Sequence, residues 1–181
     1  MNIVKCPAVV FSFPEGLRCG GVVTWALTFS KRLKQYGISS TIISHSPWPD
    51  QGTYDAGDRD DILQCPGNAQ TFELNDIQGF LPVYSSVQPC VFVPNYSYGT
   101  YGAAALASLD PASDLRVVAF AHADEKTYYD TIAYYEPIIS KFIAVSSEIK
   151  EKLERLFPLR RNDIVKLAYP VPAIRGGAQG A

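Results

Sequence analysis

Three things are scarce in this sequence of 181 residues: clustered positive charge, long apolar runs and paired cysteines. Lysine and arginine number 16 against 18 acids, for a net charge of −2. A nucleic-acid-binding face needs a concentration of cations, and none stands out, so the expectation is that nucleic acid is not a partner. The longest apolar stretches, such as residues 117–121, fall far short of the roughly 20 residues a membrane-crossing helix requires. The N-terminal Met1-Asn2-Ile3-Val4-Lys5-Cys6-Pro7 lacks the charged-then-apolar pattern of a secretory leader. The cytoplasm is the expected compartment. Cys6, Cys19, Cys65 and Cys90 are scattered, with no C-x-x-C pair. Zinc sites need close ligand pairs and small disulfide scaffolds are denser in cysteine. The four read as reduced thiols, buried or half-buried.

What the sequence does have is apolar content, at 47%, enough for one domain with a real core but short for two. Residues 8–13, Ala8-Val9-Val10-Phe11-Ser12-Phe13, form a short apolar strand stopped by Pro14. A loop carrying Gly16, Gly20 and Gly21 follows. Val22, Ala26, Phe29, Leu33 and Tyr36 then step by four and three, the period of a helix, which Gly37 is placed to end. With the strand at residues 40–44 this makes a strand, helix, strand unit of the parallel, right-handed kind. Residues 45–70, rich in Pro, Gly and Asp, read as a long loop. Further along, residues 71–74 read as a short strand, 76–86 as a helix, 90–94 as a strand and 103–109 as a helix. Residues 116–121 are apolar throughout, as a central parallel strand is, and run straight into His122-Ala123-Asp124. A tyrosine-rich helix over 128–139 leads to a strand at 141–145. Ser146 caps a helix whose Ile149, Leu153 and Leu156 share a face, and Pro158 ends it. Residues 163–168 form a last strand.

The expected fold is therefore α/β: a single Rossmann-like, doubly wound, mostly parallel sheet with helices on both faces. The domain spans residues 1–172, and 173–181 is a flexible tail. Ligands bind such sheets at the carboxyl ends of the strands, which selects the loops after Phe13, Val93 and Ala121.

In the first of these loops a P-loop would require G-K-[ST], and Gly21 is followed by Val22-Val23. A dinucleotide fold wants G-x-G-x-x-G and an acid closing the second strand, which here ends Ile43-Ser44-His45. Two readings of Gly20-Gly21 remain: a tight turn with close helix–sheet packing, or close approach of the backbone to an anion at a helix N-terminus. His122 could donate to sugar hydroxyls or phosphate and carry charge, or satisfy loop carbonyls. Asp124 could orient it or bind a hydroxyl. Tyr96, Tyr98 and Tyr101, and Tyr128, Tyr129, Tyr134 and Tyr135, offer stacking faces with a hydroxyl, or simply core. No serine or cysteine stands in a nucleophile motif.

Taken in order, these features resemble a known family. Cys19-Gly20-Gly21 opening a helix that ends Lys34-Gln35-Tyr36-Gly37 is similar to the N-terminal glycine loop and helix of the retaining glycosyltransferases of family 4. The strand entering His122-Ala123-Asp124 resembles that family's strand ending in His-x-Asp. Residues 142–153 and 164–171 look like its serine-capped helix and crossover strand. The resemblance covers residues 3–172 and implies a GT-B fold, two facing Rossmann-like domains with the active site between them. It further implies that this N-terminal half binds the acceptor. Gly20 and Gly21 would lie near the donor phosphates and His122, as the catalytic residue, would contact the transferred sugar. Glu15, Asn95, Tyr96, Tyr98 and Asp124 would serve the acceptor. The nucleotide-sugar donor is a substrate, and neither a cofactor nor a metal is implied. The implied partners are a C-terminal Rossmann-like domain, in cis or as a separate subunit, and a sugar acceptor, with peripheral membrane contact open to the full enzyme. The chain departs from the family at Tyr169-Pro170-Val171, where a glycine is usual, and the donor-binding second domain is missing. Little or no transfer by this chain alone is expected. The alternative is a non-catalytic ligand-binding or interaction domain that keeps the half-fold. The transferase reading requires Gly20-Gly21 and His122 along one rim of the sheet, with the histidine open.

Overall fold

The computed structural model describes residues 7–45, 60–65, 67, 69–70 and 73–169. The first strand, β1 (Ala8–Phe13), turns through the glycine loop into helix α1 (Gly21–Gln35), which buries Val23, Trp25 and Ala26. Arg32 and Lys34 sit in its last turn, where they complement the helix dipole. The helix stops where expected. Gly37 takes a φ of +74°, and the Ile38 N–H reaches back to the Leu33 carbonyl at 3.0 Å, a closure that needs a left-handed residue. β2 (Ser40–His45) then lies parallel to β1, with Val9 opposite Ser40 and Phe13 opposite Ser44.

Here the structure corrects the sequence reading. Inside the stretch read as one loop, β3 (Ile62–Cys65) pairs in parallel with β2, while residues 46–59 lie outside the described ones. The strand expected over 71–74 is not formed at its described end. Glu73 precedes helix α2 (Leu74–Ser86), whose Ile77, Phe80 and Tyr84 are buried at helical steps; Thr71 and Phe72 lie outside the described residues. After β4 (Cys90–Val93), helix α3 (Tyr98–Ala107) begins upstream of the expected residue 103. Ser97 is the reason: its Oγ accepts the Gly99 N–H at 3.2 Å, the cap that starts a helix. β5 (Leu115–Ala121) leads to α4 (Lys126–Tyr134), which ends before a short 3-10 turn at Glu136–Ile138. β6 (Ile139–Ala144), α5 (Ser147–Leu156) and β7 (Ile164–Lys166) complete the fold. The Ser146 cap accepts the Ile149 N–H at 3.2 Å, as read from the sequence.

The seven strands form one sheet in the order β3-β2-β1-β4-β5-β6-β7, and every pairing is parallel. This is the α/β, Rossmann-like, doubly wound architecture. Alternate strand residues feed two cores. Val10, Ile43, Phe92, Val117 and Phe142 pack beneath α2, α3, α4 and α5. Phe11, Ile42, Val93 and Phe120 pack beneath α1 alone, where Trp25 stacks on Phe29 at 5.4 Å and meets Phe11 edge-on at 5.6 Å. Among the described residues that second face is only partly covered. Val118 and Ile143 lie at its margin, and Val165 and Leu167 are 47% and 38% exposed.

Cys65 and Cys90 are buried as expected, but Cys19 is exposed because the glycine loop lifts it off the sheet; Cys6 lies outside the described residues. Among those residues no helix is long and apolar enough to cross a membrane. The tail beyond residue 169 is likewise outside them.

Candidate functional site

The strand order reverses between β1 and β4, and loops leaving neighbouring strands to opposite sides open a crevice at such a point. A cavity of about 600 Å³ lies there. Glu15, Arg18, Cys19 and Gly20 line it from the β1–α1 loop with Gly21 at the start of α1, Tyr96 from the loop after β4 with Tyr98 at the start of α3, and Glu125 from the loop after β5 with Thr127 and Tyr128 in the first turn of α4. Six residues singled out in the sequence, Glu15, Gly20, Gly21, Tyr96, Tyr98 and Tyr128, are thereby brought together. Arg18, which pairs with Glu15 at 3.1 Å, Glu125 and Thr127 were missed; they sit in a loop and at a helix start whose closeness only the sheet order creates.

The two glycines are not explained by packing. A methyl group added at Gly21 would meet nothing within 4 Å, and at Gly20 only the Arg18 carbonyl at 4.0 Å. Gly20 has a φ of 178°, extended backbone that any residue adopts. The tight-packing reading therefore fails, and the open space above the loop favours close approach by something outside the chain. No side chain caps α1 and no acid stands in its first turn. The first residues of α1, Gly21, Val22 and Val23, line the crevice, where the start of a helix carries a partial positive charge. Tyr96 meets Tyr128 at 6.1 Å across the cavity wall. Burial, reinforced by the charge of Glu15, pushes the Tyr96 hydroxyl up to about 12, so it stays a neutral donor.

His122 is at the same carboxyl rim, one residue beyond β5, but it does not line the crevice. It is 8% exposed, stacked between Phe120 at 5.4 Å and Tyr169 at 6.0 Å, with Trp25 and Tyr128 edge-on at 5.1 and 6.1 Å. Its protonation is fixed by a chain of hydrogen bonds. Asn95 donates through Nδ2 to the Ser12 carbonyl at 2.6 Å, which leaves only Oδ1 for the imidazole. His122 Nε2–H donates to that oxygen at 3.0 Å, and Nδ1 accepts from the Tyr169 hydroxyl at 2.5 Å. Burial holds the ring neutral, pulling its pKa down to about 3. The imidazole in this chain is thus a covered, uncharged group, not the open, charge-bearing one expected: the shared rim is found, but the requirement that the histidine be open is not met. Asn95 is buried with it, in a left-handed turn with φ 58°. That conformation is uncommon outside glycine and concentrates at functional sites.

Asp124 faces elsewhere. Both its oxygens take the Lys152 ammonium at 2.6 Å and Oδ1 accepts from Tyr129 at 2.7 Å; these bonds, Lys152 first, hold its carboxyl below the usual range. It lines a separate groove of about 480 Å³ with Lys126, Asp130, Arg155 and Leu156 and does not orient His122. A second buried polar cluster was not foreseen. Ser12, His45 and Tyr84 lie within 3.0–3.3 Å of one another, and His45 Nδ1 has no partner. Among the described residues no group of His, Cys, Asp or Glu is placed to hold a metal ion.

No protein-family model matches the chain, and no curated protein does. Solved structures do. An α-glucosyltransferase in complex with UDP-glucose and DNA containing an abasic site superposes with a TM-score of 0.60 at 12% identity, covering 91% of this chain and 43% of its own. An α-glucosyltransferase in complex with UDP and a 13-mer DNA containing a HMU base gives 0.59 and 12%, covering 91% and 42%. At that identity the likeness is one of fold, and the chain spans about two-fifths of those proteins' length. It also corrects the inference from charge. This near-neutral chain shares its fold with proteins solved with DNA bound, so a net charge near zero, which averages over local patches, does not exclude nucleic acid as a partner.

Proposed function

We propose that this chain is the acceptor-side, N-terminal half of a GT-B nucleotide-sugar glycosyltransferase working in the cytoplasm, inactive without a second Rossmann-like domain. One observation carries the reading: a glycine loop that needs glycine for no internal reason opens a helix N-terminus into a cavity of about 600 Å³ at the switch point of the sheet. In this reading the backbone amides around Gly20 and Gly21 receive the donor's diphosphate and stabilise it as it leaves, an electrostatic contribution that asks for no metal. Tyr96, Tyr98 and Glu15 hold the acceptor through stacking and hydroxyl hydrogen bonds. The sheet face left partly uncovered by the described residues and the 43% coverage of the neighbour's own length support a partner domain.

The test is a transfer assay on the full-length protein, or on this chain reconstituted with a second domain. UDP-glucose serves first as donor, against a panel of simple glycans and DNA carrying a hydroxymethylated base. Transfer that is lost when Gly20 and Gly21 are both replaced by Val supports the proposal. Hydrolysis and transfer both absent across UDP-, GDP- and ADP-sugars would leave the non-catalytic binding domain as the better account.

A further inference from the structure

Glu125 stands at the N-cap of α4, where a side-chain oxygen ordinarily accepts a first-turn N–H. It makes no such bond and lines the crevice instead. Among the described residues the charged side chains lining that cavity are Glu15, Arg18 and Glu125. Glu15 is engaged by Arg18 at 3.1 Å. Lys126, the next cation along the chain, is engaged by Asp130 at 2.6 Å and lines the separate groove. No described cation pairs with Glu125, so one negative charge in the cavity has no counter-ion. That charge is felt at Tyr128, whose hydroxyl is pushed up by burial, then by Tyr96, Tyr169 and Glu125. Aromatic rings line the same cavity. Tyr98 is 38% exposed and is held by Tyr134 and Tyr135, each at 6.0 Å, so its ring is in place before a ligand arrives. Tyr96, half-buried, is held by Tyr128 at 6.1 Å.

We propose that the crevice takes an amino sugar, its protonated amino group paired with Glu125 and its ring against Tyr96 and Tyr98. The inference rests on the glycosyltransferase reading only in calling that sugar the acceptor. Its chemistry comes from the cavity. An ionised carboxylate accepts hydrogen bonds and donates none, so Glu125 is matched by N–H or O–H groups and repels a phosphate. Between those two kinds of donor the charge decides. A ligand that fills the cavity strips water from Glu125, and a cation offsets the cost of leaving that charge unpaired, whereas a neutral hydroxyl offsets only part of it. An ammonium among tyrosine rings gains further from their electron-rich faces. The cavity then sorts its ligands by charge: a diphosphate belongs at the start of α1, where no acid stands in the first turn, and an amine belongs at Glu125. Both can be present together, because the two groups sit on walls contributed by different strands, β1 and β5.

The experiment uses the chain itself, isotope-labelled and followed by amide NMR at about pH 6.5, where a primary amine with a pKa of about 8 is protonated. Glucosamine and glucose are the probes, since they differ at one carbon, an ammonium in place of a hydroxyl. Glucosamine should shift the amides of Glu125, Thr127 and Tyr128 and bind about tenfold more tightly than glucose, the worth of one charge-assisted pair. Glu125 is exposed and caps nothing, so Glu125→Gln keeps the fold, and in it the preference should drop below about twofold. Equal affinities in the wild type, a preference that survives in Glu125→Gln, or the absence of shifts at those amides up to the solubility of glucosamine would each overturn the proposal. Ethylamine separates the sugar from the bare cation; binding as tight as that of glucosamine would overturn the amino-sugar assignment. Tyr98→Leu should weaken glucosamine about threefold, and unchanged binding would remove that ring from the site. These titrations need no donor. An amino sugar bound through Glu125 in a protein that transfers nothing counts against the transferase reading and leaves this site standing, whereas transfer to neutral acceptors with no amine preference sinks this proposal alone.

Discussion

Lowering the pH from 7.5 to 5.0 should cost this domain about 4 kcal/mol of stability, and two side chains account for it. His45 and His122 are both buried, and burial pulls their pKa values from 6.5 to about 4 and about 3. The unfolded chain, with both near 6.5, binds more protons below that pH than the folded one does. Their contribution is therefore complete above pH 6.5 and is lost as pH falls towards the folded values. At pH 5.0 each unfolded imidazole is favoured by about 2 kcal/mol, 1.36 kcal/mol for each unit below 6.5. Asp124 and Asp163 also have depressed values, but they titrate below this window. Urea denaturation measures the difference, as a midpoint lower by about 2 M for a slope of about 2 kcal/mol/M. His45→Gln and His122→Gln should each remove about half of the pH dependence. A wild-type stability that changes by less than about 1 kcal/mol between the two pH values would mean that one or both rings are hydrated, and the covered histidine would be wrong.

Gly21→Ala should stabilise the chain by about 0.5–1 kcal/mol, since the methyl meets open space and the unfolded backbone loses freedom; Gly21→Val in the full-length protein should nonetheless cut transfer at least tenfold, about 1.4 kcal/mol of transition-state binding. Thermal melts and initial rates check the pair, and a Val variant with normal rates would remove the loop from the site. Ser146→Ala should cost about 1 kcal/mol in urea melts by uncapping α5. Tyr84→Phe, which strips a buried hydroxyl from Ser12 and His45, should cost about 1–3 kcal/mol; a neutral result would mean that water occupies the cluster.

Where the sequence was readable, one dominant local signal was present. The four-and-three stripe of α1 ends at a glycine that takes the left-handed turn, the apolar run of residues 116–121 became a central strand, and Ser146 caps α5. It misled where local signals conflicted. The short strand β3 hides behind Asp60-Asp61 in a polar stretch, and its Ile62 and Leu63 gain their reason only from pairing with Ile42 and Ile43. Gly99 and Gly102 look like helix breakers, yet both are buried inside α3, where small residues let the helix approach its neighbours. The candidate site divides in the same way. Glu15, Gly20, Gly21, Tyr96 and Tyr98 could be gathered by the rule that ligands sit at strand ends. His122 and Asn95 obey the rule for position but not for exposure, because the groups that cover them, Trp25, Tyr128 and Tyr169, come from three distant parts of the chain. Tyr169 stood out in the sequence only as a departure from a family pattern. The Ser12–His45–Tyr84 cluster, spanning 72 residues, has no local signature at all.

The account stands on an anion site at the start of α1. An amide-resolved NMR titration of the isotope-labelled chain with UDP-glucose in the millimolar range, with glucose alone as the control, addresses it directly. Saturable shifts at the amides of Gly20, Gly21 and Val22, absent with glucose, are the predicted result; a titration that leaves those three amides unmoved while others respond would contradict it.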